Sequence, residues 1–169
     1  IQVRTSEFNG VSNKEFCFIS EFDEDFITVG VICTCSMDIV DFREFCLSLP
    51  EVEETLPFDD VTIVYKVGGR MFALIFLERP DHFAVKCDPD RAIMLRERYT
   101  QVRAGFHLNK RHWNDIFFNG ELSDEQLQRE IRHSYLIVIR QNVTPKALRE
   151  ELLSIATQEG IVDDTEMSS

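Results

Sequence analysis

From residue 37 onward, apolar side chains recur at spacings that name the elements before any residue's chemistry is considered. Ile39, Phe42, Cys46 and Leu49 fall three and four apart, the interval that lines one face of a helix, and Pro50 stops it. "VTIVYKVGGRMFALIFLE" then holds two β-rich runs around Gly68 and Gly69, and two glycines supply the positive φ values of a tight hairpin turn. The second run, Met71 to Leu77, is apolar at odd and even positions alike, which predicts a central strand covered on both faces. A turn at Arg79 to Asp81 leads into a third strand, His82 to Asp88.

Asp88 before Pro89 reads as an N-cap with proline at the first helical position, opening a helix to about Tyr99 with Ala92, Leu95 and Tyr99 inward. "QVRAGFHL" and "HWNDIFFNG" read as short strands joined at "NKR" and closed by the turn Asn119-Gly120. Ser123 and Gln126 form a capping box for a long helix carrying Leu127, Ile131, Tyr135 and Val138. Thr144-Pro145 precedes a last helix with Leu148, Leu152 and Ile155 on its apolar face. The order is helix, hairpin plus strand, helix, two strands, two helices. It predicts an α+β fold, helices packed in a layer on an antiparallel sheet.

The first 36 residues follow neither rhythm. Phe8, Phe16, Phe18, Phe22 and Phe26 are scattered among acidic and polar residues without a period of 2 or 3.6. The chain begins at Ile1 and its first methionine is Met37, so residues 1–36 are expected to be an extension outside the domain, either an artefact of an over-long reading frame or a flexible arm. A strand over Phe26 to Thr34 is the alternative. Residues 37–158 then form a single domain, and 159–169 an acidic, disordered tail.

Length agrees with one domain: 169 residues suffice for one core and are few for two. No apolar run approaches the roughly 18 residues of a membrane span, and "EFDEDF" stands where an export signal would be apolar or basic. A soluble, cytoplasmic, monomeric protein is expected. Five cysteines, Cys17, Cys33, Cys35, Cys46 and Cys87, lack the paired spacings of a disulfide or zinc framework; Cys33-x-Cys35 has no second pair to complete four ligands. No metal and no cofactor are expected.

Charge changes the picture more than composition does. The net charge is −12, but residues 1–60 hold 3 basic and 14 acidic side chains (net −11), residues 61–112 hold 10 and 5 (net +5), and residues 113–169 hold 5 and 11 (net −6). An acidic chain repels phosphate backbones at long range, while a basic centre can still hold them at short range.

Five stretches, "SLPEVEETLPF", "VYKVGGRMFAL", "KCDPDRAIMLRERY", "GFHLNKRHWNDI" and "IRHSYLIV", occur in the order and at roughly the spacing of the MmcQ/YjbR family of small bacterial proteins. The chain resembles that family over about Met37 to Leu152. The resemblance implies a CyaY-like or secretion-chaperone-like two-layer α+β fold and DNA binding through a double-wing arrangement of hairpins.

The residues that could carry DNA binding are those of the basic centre. Lys66 and Arg70 flank the hairpin turn as wing-tip cations would; Lys86 and Arg103 extend the basic segment. Lys110 and Arg111 at a strand-to-strand turn can meet phosphates, Asn109 can bond a phosphate or a base edge, and Trp113 can stack on an unpaired base. The plainer reading is that Asn109 shapes a turn, Trp113 anchors the core and the cations are solvated.

Catalysis is not expected. His107, His112 and the His133-Ser134-Tyr135 run match no hydrolase, metalloprotease or phosphate-loop spacing; Ser134 and Tyr135 read as helix packing, with the Tyr135 hydroxyl on a polar partner. His82, on a strand with Ala84 and Lys86, reads as an exposed polar residue. The CyaY-like comparison raises iron binding by Glu51, Glu53, Glu54, Asp59 and Asp60, which read more simply as a solvated acidic loop. The alternative to DNA is a protein-interaction or chaperone-like adaptor using the sheet face, where one of the adjacent pair Phe117-Phe118 would leave the core.

Overall fold

Asp38 caps the first helix: its carboxylate accepts from the Val40 and Asp41 amides while Asp41 accepts from the Asp38 amide, a reciprocal cap for α1, Ile39–Ser48. The computed structural model describes residues 37–163. The expectations for residues 1–36, including the Phe26 to Thr34 strand and Cys17, Cys33 and Cys35, lie outside the described residues.

After α1 come β1 (Val52–Thr55), β2 (Thr62–Val67), β3 (Arg70–Phe76), β4 (His82–Lys86), α2 (Pro89–Arg98), β5 (Val102–Ala104), β6 (Trp113–Phe117), α3 (Asp124–Asn142) and α4 (Lys146–Gln158). All six strands form one antiparallel sheet in the order β1-β2-β3-β4-β6-β5. The fold is α+β, as the pattern predicts, with β3 inside the sheet. One element was not predicted: the acidic "VEET" is a strand pairing with β2, Val52 opposite Val67 and Glu53 opposite Lys66. Residues 105–108 and 112, read as the inner ends of two strands joined at 109–111, instead form with that turn a loop between β5 and β6.

The sheet's two faces differ. Tyr65, Val67, Ile75, Phe83, Val85 and Ile116 meet the helices, with Phe42 of α1 stacked on Phe83 at 4.6 Å and Leu127, Ile131, Tyr135 and Val138 supplied by α3. The Tyr135 hydroxyl donates to the Pro50 carbonyl at 2.9 Å, the polar partner expected for it. The other face holds a smaller cluster of Val64, Leu74, Ala84 and Trp113, with Met71, Phe76 and Leu108 around it.

Gly68 and Gly69, at φ 55° and 73°, close the β2–β3 hairpin with Val67 paired to Arg70. The hairpin tip also packs against the α3–α4 corner: a Cβ on Gly68 would lie 2.9 Å from Val143 and 3.1 Å from Leu152. The tail, expected to fray from Glu159, is anchored as far as Asp163, whose buried carboxylate accepts from His133 and Arg140. No helix among the described residues is long and apolar enough to cross a membrane.

Candidate nucleic-acid interface

Strand register decides which of the basic residues share a neighbourhood. Val67 lies opposite Arg70, and Lys86 opposite Trp113, so the β2–β3 tip, the end of β4 and the turn before β6 stand at one end of the sheet. Four adjacent strands at about 4.8 Å spacing spread this end over about 14 Å. Lys66 is half-buried, while Arg70, Lys110 and Arg111 are exposed. Among the described residues none of these four takes part in an ion pair.

Lys86 sits between two environments. Its ammonium donates to the Asn142 side-chain oxygen at 2.5 Å, at the C-terminal end of α3. Burial, and secondarily repulsion from Arg70, holds its pKa below the ordinary lysine value. No carboxylate neutralises it among the described residues, and the influence of Arg70 places the two cations close together.

Asn109 and Trp113 follow the plainer reading. The Asn109 side chain accepts from the Arg111 amide, and its carbonyl accepts from the His112 and Trp113 amides at 2.9 and 3.0 Å, so it builds the turn. Trp113 is 6% exposed and packed with Leu108 and the second-face cluster, which removes it as a stacking surface in this conformation.

Arg103 does not join the others. It projects from the edge strand β5, opposite Asp115, and its guanidinium lies 4.6 Å over the Phe117 ring. Phe117 is four residues beyond Trp113 along β6, about 13 Å at strand rise, so Arg103 points toward the opposite end. Phe117 is the member of its pair that leaves the core; Phe118 is buried with Phe42 and Phe83.

His82 is a correction. It is 5% exposed rather than open to solvent, packed between Phe76 and Phe117 on the second face and bonded through Nδ1 to Asp81 at 2.8 Å. Strand alternation sends it to the same side as Ala84, and that side is covered. Of the acidic run, Glu54 pairs with Arg43 and Asp59 accepts from the Val61 amide; among the described residues no three His, Cys, Asp or Glu side chains are grouped to hold a metal.

Arg96 of α2 fixes the turn that carries Lys110 and Arg111, a role that no motif marks. Its guanidinium donates to the Asn114 side chain at 2.7 Å and to the carbonyls of Lys110 and Trp113. In the sequence it is one more arginine on the polar side of an amphipathic helix.

Three comparisons bear on identity. A family model described as YjbR matches residues 47–137. The uncharacterised protein YjbR of Escherichia coli strain K12 is 28% identical over 120 residues, 70% of this chain and all of that one. The uncharacterised protein YbdF of Escherichia coli O157:H7 is 32% identical over 98 residues, 57% of this chain and 80% of that one. Among solved structures, the Deinococcus radiodurans protein DR2400 superposes with a TM-score of 0.64 at 36% identity, covering 76% of this chain and 91% of that one. A Pseudomonas syringae protein, 18% identical with a TM-score of 0.51, shares the fold over 58% of this chain and 96% of its own.

Proposed function

The chain belongs to the YjbR family, and we propose that this member is a non-catalytic DNA-binding protein that contacts phosphates through Lys66, Arg70, Lys110 and Arg111, with Lys86 behind them. One observation carries the reading: the register brings cations distant in sequence to one end of the sheet, free of ion pairs among the described residues, in a chain whose net charge is −12. Unpaired cations on such a chain have their carboxylate partners elsewhere, so an incoming phosphate displaces no internal salt bridge. Asn109 and Trp113 serve by shaping the turn rather than by touching bases. Arg103 is left out of the interface.

An adaptor using the sheet's second face is less well supported. Val64, Leu74 and Ala84 are already buried there, at 0%, 1% and 0% exposure, and offer a partner little apolar area.

Anisotropy titrations of labelled duplex and single-stranded DNA with the full chain at several salt concentrations test the proposal. Four phosphate contacts give a log–log slope of about −3.6 on duplex. Arg70→Glu should flatten it by about 0.9. Absence of binding at low salt, or a slope indifferent to Arg70, would remove DNA from the function.

A further inference from the structure

The loop 105–112 crosses the end of the second face and is held there in two unlike ways. Its second half is clamped by Arg96 on the Lys110 and Trp113 carbonyls and by the Asn109 turn. Its first half is pinned at its ends by the Gly105 amide on the Trp113 carbonyl and by Leu108 against the second-face cluster; between them Phe106, with Arg79 5.1 Å over its ring, has its amide held by a single side chain, donating to Asp115 Oδ2 at 2.8 Å. Next to that tether His107 is held at φ 62°, a left-handed conformation that a non-glycine residue adopts under strain.

Asp115 is an uncomfortable anchor. It is 4% exposed, and its Oδ1 is buried without a hydrogen-bond partner. A charged carboxylate with one oxygen unmet is costly in such a place, whereas a protonated carboxyl carries no charge to desolvate.

We propose that Asp115 is a proton-operated latch for the first half of the 105–112 loop, holding Phe106 and His107 down when the carboxyl is neutral and loosening them when it is charged. The groups facing it are His82 of β4, itself bonded to Asp81; Arg79 of the β3–β4 turn; Arg96 of α2; and Arg103, its register partner on β5. The loop adds His107, His112, Lys110 and Arg111 and contains no carboxylate. Burial raises the Asp115 pKa, and the Phe106 amide and the positive neighbours pull it back without cancelling the rise. Loop opening hydrates the carboxyl and returns it toward the ordinary value, so the closed loop binds the proton more tightly. Closure is therefore favoured most below the ordinary aspartate value, and that advantage is lost as pH rises through the raised one. The latch does not depend on what the cationic end binds.

Amide-exchange protection factors of the full chain, which correct for the intrinsic pH dependence of exchange, read this directly. From about pH 3.5 to about pH 7 the Phe106 amide should lose protection severalfold and then level off. The Trp113 amide, on the clamped half, should hold its protection. Asp115→Asn, neutral at every pH and nearly the same shape, should make the Phe106 profile flat. A flat profile in the unsubstituted protein, or equal losses with and without the carboxyl, would overturn the latch. Carbon-13 titration of the Asp115 carboxyl needs no variant: a midpoint above the ordinary aspartate value is expected, and one at or below it would also overturn the latch.

Discussion

Gly68 answers to two constraints at once, and its neighbour answers to one. Both lie in the left-handed region, but only Gly68 faces Val143 and Leu152; nothing lies within 4 Å of a Cβ built on Gly69. Gly69→Ala should cost about 1–2 kcal/mol, the price of the backbone conformation alone. Gly68→Ala should cost about 2–4 kcal/mol, since overpacking adds to it. Urea midpoints of the two variants measure the difference, and equal losses would mean that the corner yields to a methyl group. The buried thiols are argued at the same scale. Burial, then the Glu130 charge, pushes the Cys87 thiol up to about 12, and burial pushes Cys46 well above its ordinary value. Thiolate, the reactive form, is therefore nearly absent from both at about pH 8. Iodoacetamide should spare both in the folded protein and label both in denaturant, with mass mapping as the readout; rapid native labelling of either would contradict its burial.

At the scale of elements, the β2–β3 register slips between Tyr65–Ala73 and Lys66–Met71, leaving Phe72 as an extra residue in β3. Its carbonyl and the Lys86 amide both turn to one hydroxyl: Ser134 of α3 donates to Phe72 and accepts from Lys86 at 2.8 Å. Ser134→Ala would leave the buried Phe72 carbonyl and the part-buried Lys86 amide unmet, at a cost of about 2–4 kcal/mol. Ser134→Gly should be at least as damaging, because it adds a helix-interior glycine. Thermal melts of the two decide whether the hydroxyl, rather than the β-carbon, carries the effect. The sequence made Ser134 legible as packing and left this particular duty hidden, since a bulge leaves no mark on hydrophobic period. The same limit explains the other departures. "VEET" has no apolar alternation and becomes a strand because β2 has a free edge beside it, while His82 looked exposed because the rings that cover its face belong to the strands on either side, Phe76 of β3 and Phe117 of β6. Caps, the hairpin and the long helix were legible because each is set by residues within a few positions of one another.

For the whole molecule, a net charge of −12 sets the terms on which any polyanion is met. At long range the chain repels DNA, and added salt screens that repulsion as well as the local attraction. The location of a cation should therefore matter more than its contribution to net charge. Reversing Lys110 and Arg111 together takes the net charge from −12 to −16, and reversing Arg103 takes it to −14. If total charge governed binding, Arg103→Glu would lose about half of what the double variant loses. If the sheet end governs it, Lys110→Glu with Arg111→Glu should abolish measurable binding, while Arg103→Glu, whose guanidinium lies over Phe117 away from that end, should stay within about twofold of the unsubstituted protein. Both Lys110 and Arg111 are exposed and free of ion pairs among the described residues, so the double variant should melt within about 2 °C of the parent. Arg103→Glu should lose a little stability instead, because its cation–π contact is worth about 0.5–1 kcal/mol at an exposed site. Titrations and melts on the same three proteins separate the two accounts: a graded loss that follows net charge would place the binding in the field of the whole molecule, and loss confined to the double variant would place it at the end of the sheet.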